Sequence, residues 1–565
     1  MTKISSIESV QSLVQLAEMK GVCDVVISPG SRNAPLILSF TSNAYFNCQS
    51  VLDERTAGFV ALGMSQSTGK PTMLSCTSGS AVVNYAPALA EAYYQKIPLI
   101  AITADRPKHL IDQGEGQSMR QEGVMDNFLE GSFNLVEEKS KDDAALNEQL
   151  INQAFDLAIA TSKPVQINVP LSEPLYDMVE QPTAQPKDLK DDQPRARLDD
   201  STFESLKNQW KASNKVLILV SQFVDRGSLE QTLGNLCNNP KVAVLTETTA
   251  NMYNLGFVSC IDRTLELFEG GEDELQYIPD LLITVGENII SKKIKTIIRK
   301  HKANIQKHWH FGDVPRDTFQ CLTELIKVNP GTTLSAISSE QDAVGEFGMR
   351  WRNAFYKAEN VHKEFMASLP FSDLKVIEQV LDFIPDASNL QMGNSSVVRY
   401  IQLFNQIRTI KYHGNRGLSG IEGCTSTAAG MAIMSQNNTV LVSGDQAFRY
   451  DSNGLSLHES SDGLKVIVIN NSGGNIFRII PGPNKHVASE RFIEKMDERS
   501  IQKLVDYHGC DYQSARNEES LETGLRWLFD PTSTKNEVLE VFTPRLDNPE
   551  ILKAYFSKIK GVDAQ

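Results

Sequence analysis

The chain has 565 residues and a mass of 62.7 kDa, more than one hydrophobic core usually covers, which excludes a single small binding module. Hydrophobic residues make up 41% and charged residues 22%, values typical of folded proteins and not of disordered or fibrous ones. The formal net charge of −15 disfavours broad nucleic-acid binding, although a few converging cations can still form a local positive cleft.

The eight cysteines are scattered along the chain without a CxxC pair, as expected for thiols in a reducing compartment. The N-terminal stretch has no apolar block of the signal-peptide type, and no run of about 18 apolar residues occurs anywhere. These features predict a cytoplasmic protein without membrane insertion.

Apolar, β-rich runs alternate with helix-length segments in three parts of the chain, a pattern typical of parallel sheets covered by helices on both faces. The first series comprises DVVIS at 24–28, SVLD at 50–53, TMLSCTS at 72–78, PLIAITAD at 98–105 and PVQINVP at 164–170. The second comprises KVLILVSQF at 215–223, KVAVLTE at 241–247, DLLITVG at 280–286 and HWHFGD at 308–313. The third comprises NLQMGNS at 389–395, IKYHGNRG at 410–417, NTVLVSGD at 438–445, LKVIVINN at 464–471 and VLEVFTP at 538–544. The sequence therefore predicts an α/β fold of three consecutive doubly wound parallel-sheet domains.

The predicted domains are residues 1–180, 201–345 and 346–565, and the Pro- and Asp-rich stretch 181–200 is interpreted as a linker. None of the strand-to-helix turns carries a GxGxxG fingerprint, so a nicotinamide dehydrogenase is disfavoured. Open parallel sheets bind ligands beyond the carboxyl ends of their strands. The residues that directly follow the apolar runs are therefore the candidates for chemistry.

Two polar residues end neighbouring runs of the third series. Asp445 ends VLVSGD, and Asn471 ends VIVINN 26 residues later. Their side-chain oxygens and the carbonyl of Gly473 could converge on one Mg²⁺, which takes its other ligands from phosphates and water. Gly473 and Gly474 would let the backbone approach such a ligand. Each fragment taken alone is explained equally well by the turn preferences of Gly, Asp and Asn.

The pairing of GDQ at 444–446 with NN at 470–471 resembles the magnesium-diphosphate motif of thiamine-diphosphate-dependent enzymes, which begins with GDG and ends with NN. Gln446 stands in place of the last glycine of the general motif. In VLDERTAGFVALGMS at 51–65, Glu54 matches the glutamate with which this family contacts the pyrimidine ring and activates the cofactor. A glutamate at a helix start, taken alone, is also explained by the helix dipole.

Further segments are similar to one branch of these enzymes, the MenD family of the menaquinone pathway: SPGSRNAPL at 28–36, TADRP at 103–107, GNSSVVR at 393–399 and GNRGLSGIEGCTSTAAG at 414–430. The resemblance implies thiamine diphosphate with Mg²⁺, or Mn²⁺ in its place, and a homodimer or dimer of dimers with active sites between subunits. It also implies decarboxylation of 2-oxoglutarate and conjugate addition of the succinyl-semialdehyde carbanion to isochorismate. The product would be 2-succinyl-5-enolpyruvyl-6-hydroxy-3-cyclohexene-1-carboxylate.

Both substrates carry two carboxylates, and arginine suits them because its planar fork donates two hydrogen bonds to one carboxylate. The implied substrate-binding residues are Ser31, Arg32, Asn33, Arg106, Lys292, Lys293, Arg399, Arg416, Ile476 and Phe477. The implied cofactor-binding residues are Glu54, Ser395, Ser419, Gly420, Ile421, Gly444, Asp445, Gln446, Asn471, Gly473 and Gly474. The implied catalytic residues are Glu54, Arg32, Gln117 and Ser395, and the implied metal ligands are Asp445, Asn471 and Gly473. Lys292 and Lys293 are equally compatible with a solvated basic helix.

Two alternatives stay open on the sequence alone. Another thiamine carboligase, such as an acetohydroxyacid synthase, would share the cofactor motif, but a pyruvate site needs only one carboxylate partner. A catalytically silent scaffold would be expected to lack the activating glutamate or a metal ligand, whereas Glu54, Asp445 and Asn471 are all present. His308 and His310 are interpreted as structural or surface groups because no third metal ligand is evident.

Overall fold

The structure is a computed structural model of one chain, and it describes residues 3–189, 197–223, 229–338, 345–457, 463–479, 486 and 488–561. Three parallel sheets follow one another along the chain, which confirms the predicted fold class. Alternate residues of each central strand belong to different hydrophobic clusters, as Val25 and Val26 do in the first sheet. Both faces of each sheet are therefore buried, which explains the nearly continuous apolar runs.

The N-terminal sheet is formed before residue 171, and a small antiparallel strand pair joins the chain start to residues 178–179. The elements are β1 (Ile4–Ser5), α1 (Glu8–Met19), β2 (Asp24–Ile27), α2 (Ala34–Thr41), β3 (Asn47–Ser50), α3 (Glu54–Thr68), β4 (Thr72–Cys76), α4 (Ser80–Asn84), α5 (Ala86–Gln95), β5 (Leu99–Asp105), β6 (Gly131–Asn134), α6 (Lys141–Thr161), β7 (Val165–Pro170) and β8 (Met178–Val179). The strand order is β3-β2-β4-β5-β7-β6. Strands β2, β4 and β5 are thus neighbours, and the loops that follow them meet at one edge.

The middle sheet has five parallel strands. The elements are α7 (Asp200–Ala212), β9 (Val216–Val220), α8 (Leu229–Leu236), β10 (Val242–Thr246), α9 (Ile261–Glu266), β11 (Leu281–Val285), α10 (Lys292–Lys300), β12 (Lys307–Phe311), β13 (Glu324–Ile326) and α11 (Pro330–Ile337). The strand order is β10-β9-β11-β12-β13. Helix α10 begins after β11 and carries the predicted lysine pair.

The C-terminal sheet has six parallel strands in the order β15-β14-β16-β17-β19-β18. The elements are α12 (Phe347–Met366), α13 (Asp373–Phe383), β14 (Asn389–Met392), α14 (Ser396–Ile401), β15 (Lys411–His413), α15 (Cys424–Met434), β16 (Thr439–Gly444), α16 (Asp445–Tyr450), β17 (Leu464–Asn470), α17 (Ile476–Ile479), α18 (Gln502–Tyr507), β18 (Asp511–Ala515), α19 (Glu518–Leu528), β19 (Glu537–Phe542) and α20 (Asp547–Lys560). Strands β14, β16 and β17 are neighbours, so the motifs that follow them lie at one edge.

Helices α3 and α15 pack against each other and join the first sheet to the third. A Cβ atom built on Gly63 would lie 2.0 Å from the Thr427 carbonyl oxygen, and one on Gly430 would lie 2.0 Å from that of Val60. Only glycine fits at either position, because the obstructing atoms belong to the backbone. These two contacts set the spacing between the helix that begins at Glu54 and the helix that follows the GNRGLSGIEG loop.

Two details of the predicted organisation need correction or extension. The strand predicted at 50–53 is wrong: β3 ends at Ser50, and Asp53 caps α3 by accepting a hydrogen bond from the Arg55 amide at 3.0 Å. β3 is an edge strand with partly exposed polar residues, so it lacks an apolar run. Of the predicted linker, residues 190–196 lie outside the described part of the chain, and Ala184 packs onto α1 through a 2.9 Å hydrogen bond from its amide to Gln11. The domain boundaries stay predictions.

Among the helices that the structure describes, none is long and apolar enough to cross a membrane.

Candidate active site

A cleft of about 140 Å³ opens at the carboxyl ends of β14, β16 and β17. The predicted cofactor or substrate residues that line it are Ser395, Ile421, Gly444, Asp445, Gln446, Asn471, Gly473, Gly474 and Phe477. They come from the starts of α14 and α16, the loop after β17 and the loop before α15. The structure therefore brings together residues that are far apart in sequence, at the edge where parallel sheets bind ligands.

Asp445 is the buried carboxylate of this cleft. It is 1% exposed, and its Oδ2 atom has no hydrogen-bond partner among the described residues. Arg449 lies nearby, with Nε 3.9 Å from that oxygen. Burial raises the pKa of Asp445 to about 7, and the Arg449 charge opposes the rise. A buried carboxylate oxygen without a donor is costly unless a cation meets it, so the residue fits a metal ligand.

Asn471 and Gly473 line the same cleft as Asp445, and the Gly473 carbonyl oxygen accepts a hydrogen bond from the Asn475 amide at 2.8 Å, which leaves its second lone pair for a ligand. The amide nitrogen of Asn471 donates to Asp373 Oδ2 at 2.8 Å, which leaves the amide oxygen available to the cleft. Gly473 has a φ of 140°, a conformation that favours glycine. A carboxylate, an amide oxygen and a backbone carbonyl form a hard oxygen donor set, which suits Mg²⁺ or Mn²⁺.

The Gln446 side chain holds the loop at residues 494–495 next to the predicted metal ligands. Its amide nitrogen donates to the carbonyl oxygens of Glu494 and Lys495, the latter at 2.7 Å. The Gly474 amide donates to the same Glu494 carbonyl at 2.7 Å. The glycine of the general thiamine motif could not make this side-chain bridge. The departure from the motif therefore has a structural role, because it ties the start of α16 to residues 494–495.

Strained backbone conformations occur at several predicted site residues. Gln117, Ser395 and Ser419 have φ values of 52°, 73° and 66°, and Ser472, between two of the predicted metal ligands, has 63°. Non-glycine residues adopt such angles rarely and at a cost of about 1–3 kcal/mol, and they concentrate at functional sites. These angles support the prediction that the loops carrying the four residues belong to a functional site.

All three domains hold the loop between β15 and α15. From the N-terminal domain, Glu91 accepts a 2.6 Å hydrogen bond from the Gly417 amide. From the middle domain, Asn288 donates to the Arg416 carbonyl at 2.8 Å. Within the C-terminal domain, Arg416 Nη1 donates to Asn394 Oδ1 at 2.7 Å. The position of the Arg416 side chain thus depends on the packing of the whole chain.

Arg399 and Arg416 form a basic cluster at the border of the middle and C-terminal domains. Burial lowers the pKa of both guanidinium groups, and the charge of Arg399 lowers that of Arg416 further. Arg416 Nε is buried without a hydrogen-bond partner among the described residues. In the part of the chain that the structure describes, neither guanidinium group forms a salt bridge. The buried Glu247 is nevertheless close enough for its charge to favour the protonated form of both arginines. The pair is suited to bind an external carboxylate.

The lysines of α10 are placed differently from one another. Lys292 is exposed, whereas Lys293 pairs with Glu266 at 2.5 Å and with Glu269 at 2.7 Å. Lys295, which the sequence analysis did not select, lies close enough to the two arginines of the basic cluster for their charges to lower its pKa, after the larger effect of burial. Lys295 lies three residues after Lys292 and therefore on the same face of α10, and this spacing could have identified it from the sequence.

The selected residues of the N-terminal domain form a second basic group, after β2 and β5: Ser31, Arg32, Asn33, Arg106 and Gln117. Burial and the nearby Arg106 charge lower the pKa of Arg32. Arg106 Nε donates to the Gly116 carbonyl at 2.8 Å, which brings the strained Gln117 to the same edge. The two arginines therefore lie together, as the sequence predicted from neighbouring strand ends.

Within one chain, this N-terminal group and Glu54 do not line the cleft at the ends of β14, β16 and β17. Glu54 begins α3, and one of its carboxylate oxygens accepts a hydrogen bond from Asn84 at 3.4 Å. Ser419, Gly420 and Ile476 also stand outside the lining of that cleft. The predicted site residues of one chain therefore do not line a single cleft, and those of the N-terminal domain lie apart from those of the C-terminal cleft.

His308 and His310 share a buried hydroxyl instead of facing a metal. Thr284 Oγ1 lies 3.0 Å from His308 Nε2 and 3.0 Å from His310 Nδ1. Burial lowers the pKa of both rings to about 4. The network links neighbouring strands of the middle sheet.

Comparison with known proteins gives the class first. Residues 8–125 match the family described as "Thiamine pyrophosphate enzyme, N-terminal TPP binding domain". The matched segment contains β2 to β5 and the whole of α3, which begins at Glu54. The fold, the site and this match define a thiamine-diphosphate-dependent enzyme.

The family follows from relatives that match this chain over nearly its full length. The 2-succinyl-5-enolpyruvyl-6-hydroxy-3-cyclohexene-1-carboxylate synthase of Flavobacterium johnsoniae is 38% identical over 553 residues, covering 97% of this chain and 98% of the relative. The synthases of Porphyromonas gingivalis and Bacteroides fragilis are 36% and 33% identical and cover 98% of this chain, and 97% and 99% of their own lengths. The chain belongs to this synthase family, the MenD family, and is an enzyme of the transferase class.

Proposed function

We propose that the enzyme uses thiamine diphosphate and Mg²⁺ to decarboxylate 2-oxoglutarate and to add the remaining four-carbon unit to isochorismate. The product would be 2-succinyl-5-enolpyruvyl-6-hydroxy-3-cyclohexene-1-carboxylate, in menaquinone biosynthesis. The similarity to synthases of that name over nearly the whole chain carries the proposal. All eight cysteines are free, which supports a reducing compartment such as the cytoplasm.

Three groups of the C-terminal cleft would hold the divalent cation. They are Asp445 Oδ2, the side-chain oxygen of Asn471 and the carbonyl of Gly473. When bound, thiamine diphosphate supplies the electron sink for decarboxylation and carbon–carbon bond formation. Ile421 lines the same cleft, and its β-branched side chain is stiff enough to support one face of a bound ring system.

Glu54 would activate the cofactor from a neighbouring subunit. In support, one chain places Glu54 outside the cleft that carries the metal ligands. The surface near Glu54 also exposes large apolar side chains: Leu52 is 80% exposed, and Tyr450, stacked under Arg55, is 53% exposed. Such a surface is suited to association with a second copy, as in a homodimer or dimer of dimers.

The two basic groups would bind the substrate carboxylates. Arg32 and Arg106 come from the N-terminal domain, and Arg399 and Arg416 come from the other side. Each pair is at least partly buried, so water competes little for the guanidinium groups. A site assembled between subunits would bring both pairs to two substrates that carry two carboxylates each.

The test is a reconstitution with purified protein. With thiamine diphosphate, Mg²⁺, 2-oxoglutarate and isochorismate, we expect carbon dioxide release together with loss of isochorismate. Chelation of the metal should abolish turnover, and Mg²⁺ or Mn²⁺ should restore it. Turnover of pyruvate without need for isochorismate would instead indicate an acetohydroxyacid synthase activity and contradict the proposal.

A further inference from the structure

A buried carboxylate, Asp373, contacts the Asn471 side chain at the back of the cleft. Asp373 is 2% exposed, lies at the first residue of α13 and lines the cleft. Its Oδ2 accepts the hydrogen bond from Asn471 Nδ2 at 2.8 Å. Its Oδ1 accepts from Thr543 Oγ1 at 2.6 Å and from Asn548 Nδ2 at 2.8 Å. Both oxygens are therefore occupied by donors.

We propose that Asp373 is a positioning residue that fixes the orientation of the Asn471 amide, so that oxygen and not nitrogen is presented to the divalent cation. The inference rests on the proposed metal-dependent function. The oxygen and nitrogen of an asparagine amide have nearly the same shape, so the pocket's shape does not select between them. Hydrogen bonding selects instead, because an ionised carboxylate can only accept.

The geometry makes Asp373 the deciding neighbour. It is the hydrogen-bond partner that the structure shows for the Asn471 side chain in the part of the chain it describes. A flipped Asn471 would direct its carbonyl oxygen at the Asp373 carboxylate and its amide hydrogens at the cation, two unfavourable contacts in a buried place. A metal ligand is thus kept in its binding orientation by a carboxylate that does not itself need to touch the metal.

Replacing Asp373 with asparagine should reverse that selection. In Asp373→Asn, the new amide oxygen would stay toward the donors Thr543 and Asn548, and the new NH₂ group would face Asn471. Asn471 would then turn its own oxygen toward residue 373 and its nitrogen toward the cation. We expect the dissociation constant for Mn²⁺, measured by electron paramagnetic resonance with thiamine diphosphate present, to rise about tenfold or more.

A reciprocal exchange separates positioning from a general effect on the fold. In the double variant Asp373→Asn/Asn471→Asp, the amide at position 373 can donate to one oxygen of the carboxylate at position 471, while the other oxygen of that carboxylate faces the cation. In Asn471→Asp alone, two carboxylates would confront each other. We therefore expect Asn471→Asp to improve Mn²⁺ affinity about tenfold more in the Asp373→Asn background than in the wild-type background.

Thr543→Val is the matched control, because it removes a donor from the far oxygen of Asp373 and leaves Asn471 in contact with the near one. It should keep Mn²⁺ affinity within about threefold of the wild-type value. Circular dichroism and thermal unfolding would verify folding of every variant. If Asp373→Asn fails to fold, the comparison of the double variant with Asn471→Asp alone decides, and the double variant must bind more tightly.

The outcomes distinguish the two proposals. Wild-type protein that does not bind Mn²⁺ with thiamine diphosphate overturns both the proposed function and the role of Asp373. If the wild type binds Mn²⁺ and Asp373→Asn binds it equally well, only the positioning role of Asp373 is overturned. Equal effects of Asn471→Asp in the two backgrounds overturn it as well.

Discussion

One residue of the cleft, Asp445, combines a buried carboxyl group with an oxygen atom that has no hydrogen-bond donor among the described residues. Asn471 and Gly473 line the same cleft. Burying such a carboxylate destabilises the folded protein, and binding of a cation offsets this cost. Cation binding should therefore stabilise the folded state.

Glu54→Gln tests the activating carboxylate. Glutamine keeps the size of the side chain but cannot exchange a proton with the pyrimidine ring, so cofactor binding should survive while activation fails. Exchange of the thiazolium C2 proton with deuterium, followed by NMR, should slow by about 10²–10⁴-fold. Glu518→Gln, at the exposed start of α19, is the control and should leave the exchange rate unchanged. Full exchange in Glu54→Gln would contradict the assigned role.

Arg399→Lys tests the basic cluster. Lysine keeps the charge but loses the planar fork, so one charge-assisted hydrogen bond to a substrate carboxylate should be lost. The KM for 2-oxoglutarate or for isochorismate should rise about tenfold or more, while thiamine diphosphate affinity stays unchanged. Arg526→Lys, which alters an exposed pair with Glu522 on α19, should change neither KM. If the KM values for both substrates were unchanged in Arg399→Lys, the proposed role of Arg399 in substrate binding would be wrong.

The sequence could predict that Asp445 and Asn471, the proposed metal ligands, share one cleft, but not that Asp373 contacts Asn471. Asp445 and Asn471 each follow an apolar run, and neighbouring strand ends bring them together. Asp373 is 98 residues before Asn471, at the start of a helix that carries no motif. Lys293 shows the opposite case: it matches a family position, but acidic neighbours from α9 and the following turn already pair with it.

At the level of elements, the central strands were predictable, as were the edge strands β10 and β15, whereas the other edge strands were not. Strands β9 and β17, which are buried on both faces, appear in the sequence as unbroken apolar runs. β6, β13 and β18 lie at sheet edges, have partly exposed residues and escaped prediction. Several candidate site loops follow the apolar central strands β14, β16 and β17, whereas the loop after the edge strand β15 and Glu54 after the edge strand β3 were found from their motifs.

Gly63→Ala tests the contact between α3 and α15. Alanine favours helix by up to about 1 kcal/mol, but its methyl group would lie 2.0 Å from the Thr427 backbone oxygen. The helices would have to separate, and overpacking of this kind costs about 1–3 kcal/mol. Calorimetry should show a lower melting temperature, whereas Gly116→Ala, where the added methyl meets nothing within 4 Å, should not change it. A melting temperature that stays constant or rises in Gly63→Ala would contradict this close packing.

On the scale of the molecule, one chain holds the parts of the site in two separate places. The C-terminal cleft carries the proposed cation ligands, and the N-terminal domain carries Glu54 and a second pair of arginines. Within the chain, the start of α3 contacts the far end of α16, through Arg55 with the Tyr450 carbonyl at 3.0 Å, and not the end that carries Asp445. The proposed association of two copies, in which each chain supplies the residues that the other lacks, would account for both groups and for the exposed apolar side chains near Glu54.

Mixing two inactive variants, Glu54→Gln and Asp445→Ala, tests this shared site most directly. After the subunits are dissociated and reassociated at equal concentration, half of the dimers should be mixed, and each mixed dimer should contain one site with neither substitution. The account predicts recovery of about one quarter of wild-type synthase activity. If each chain instead built its own site, every site in the mixture would carry one substitution, and a mixture as inactive as its components would contradict the account.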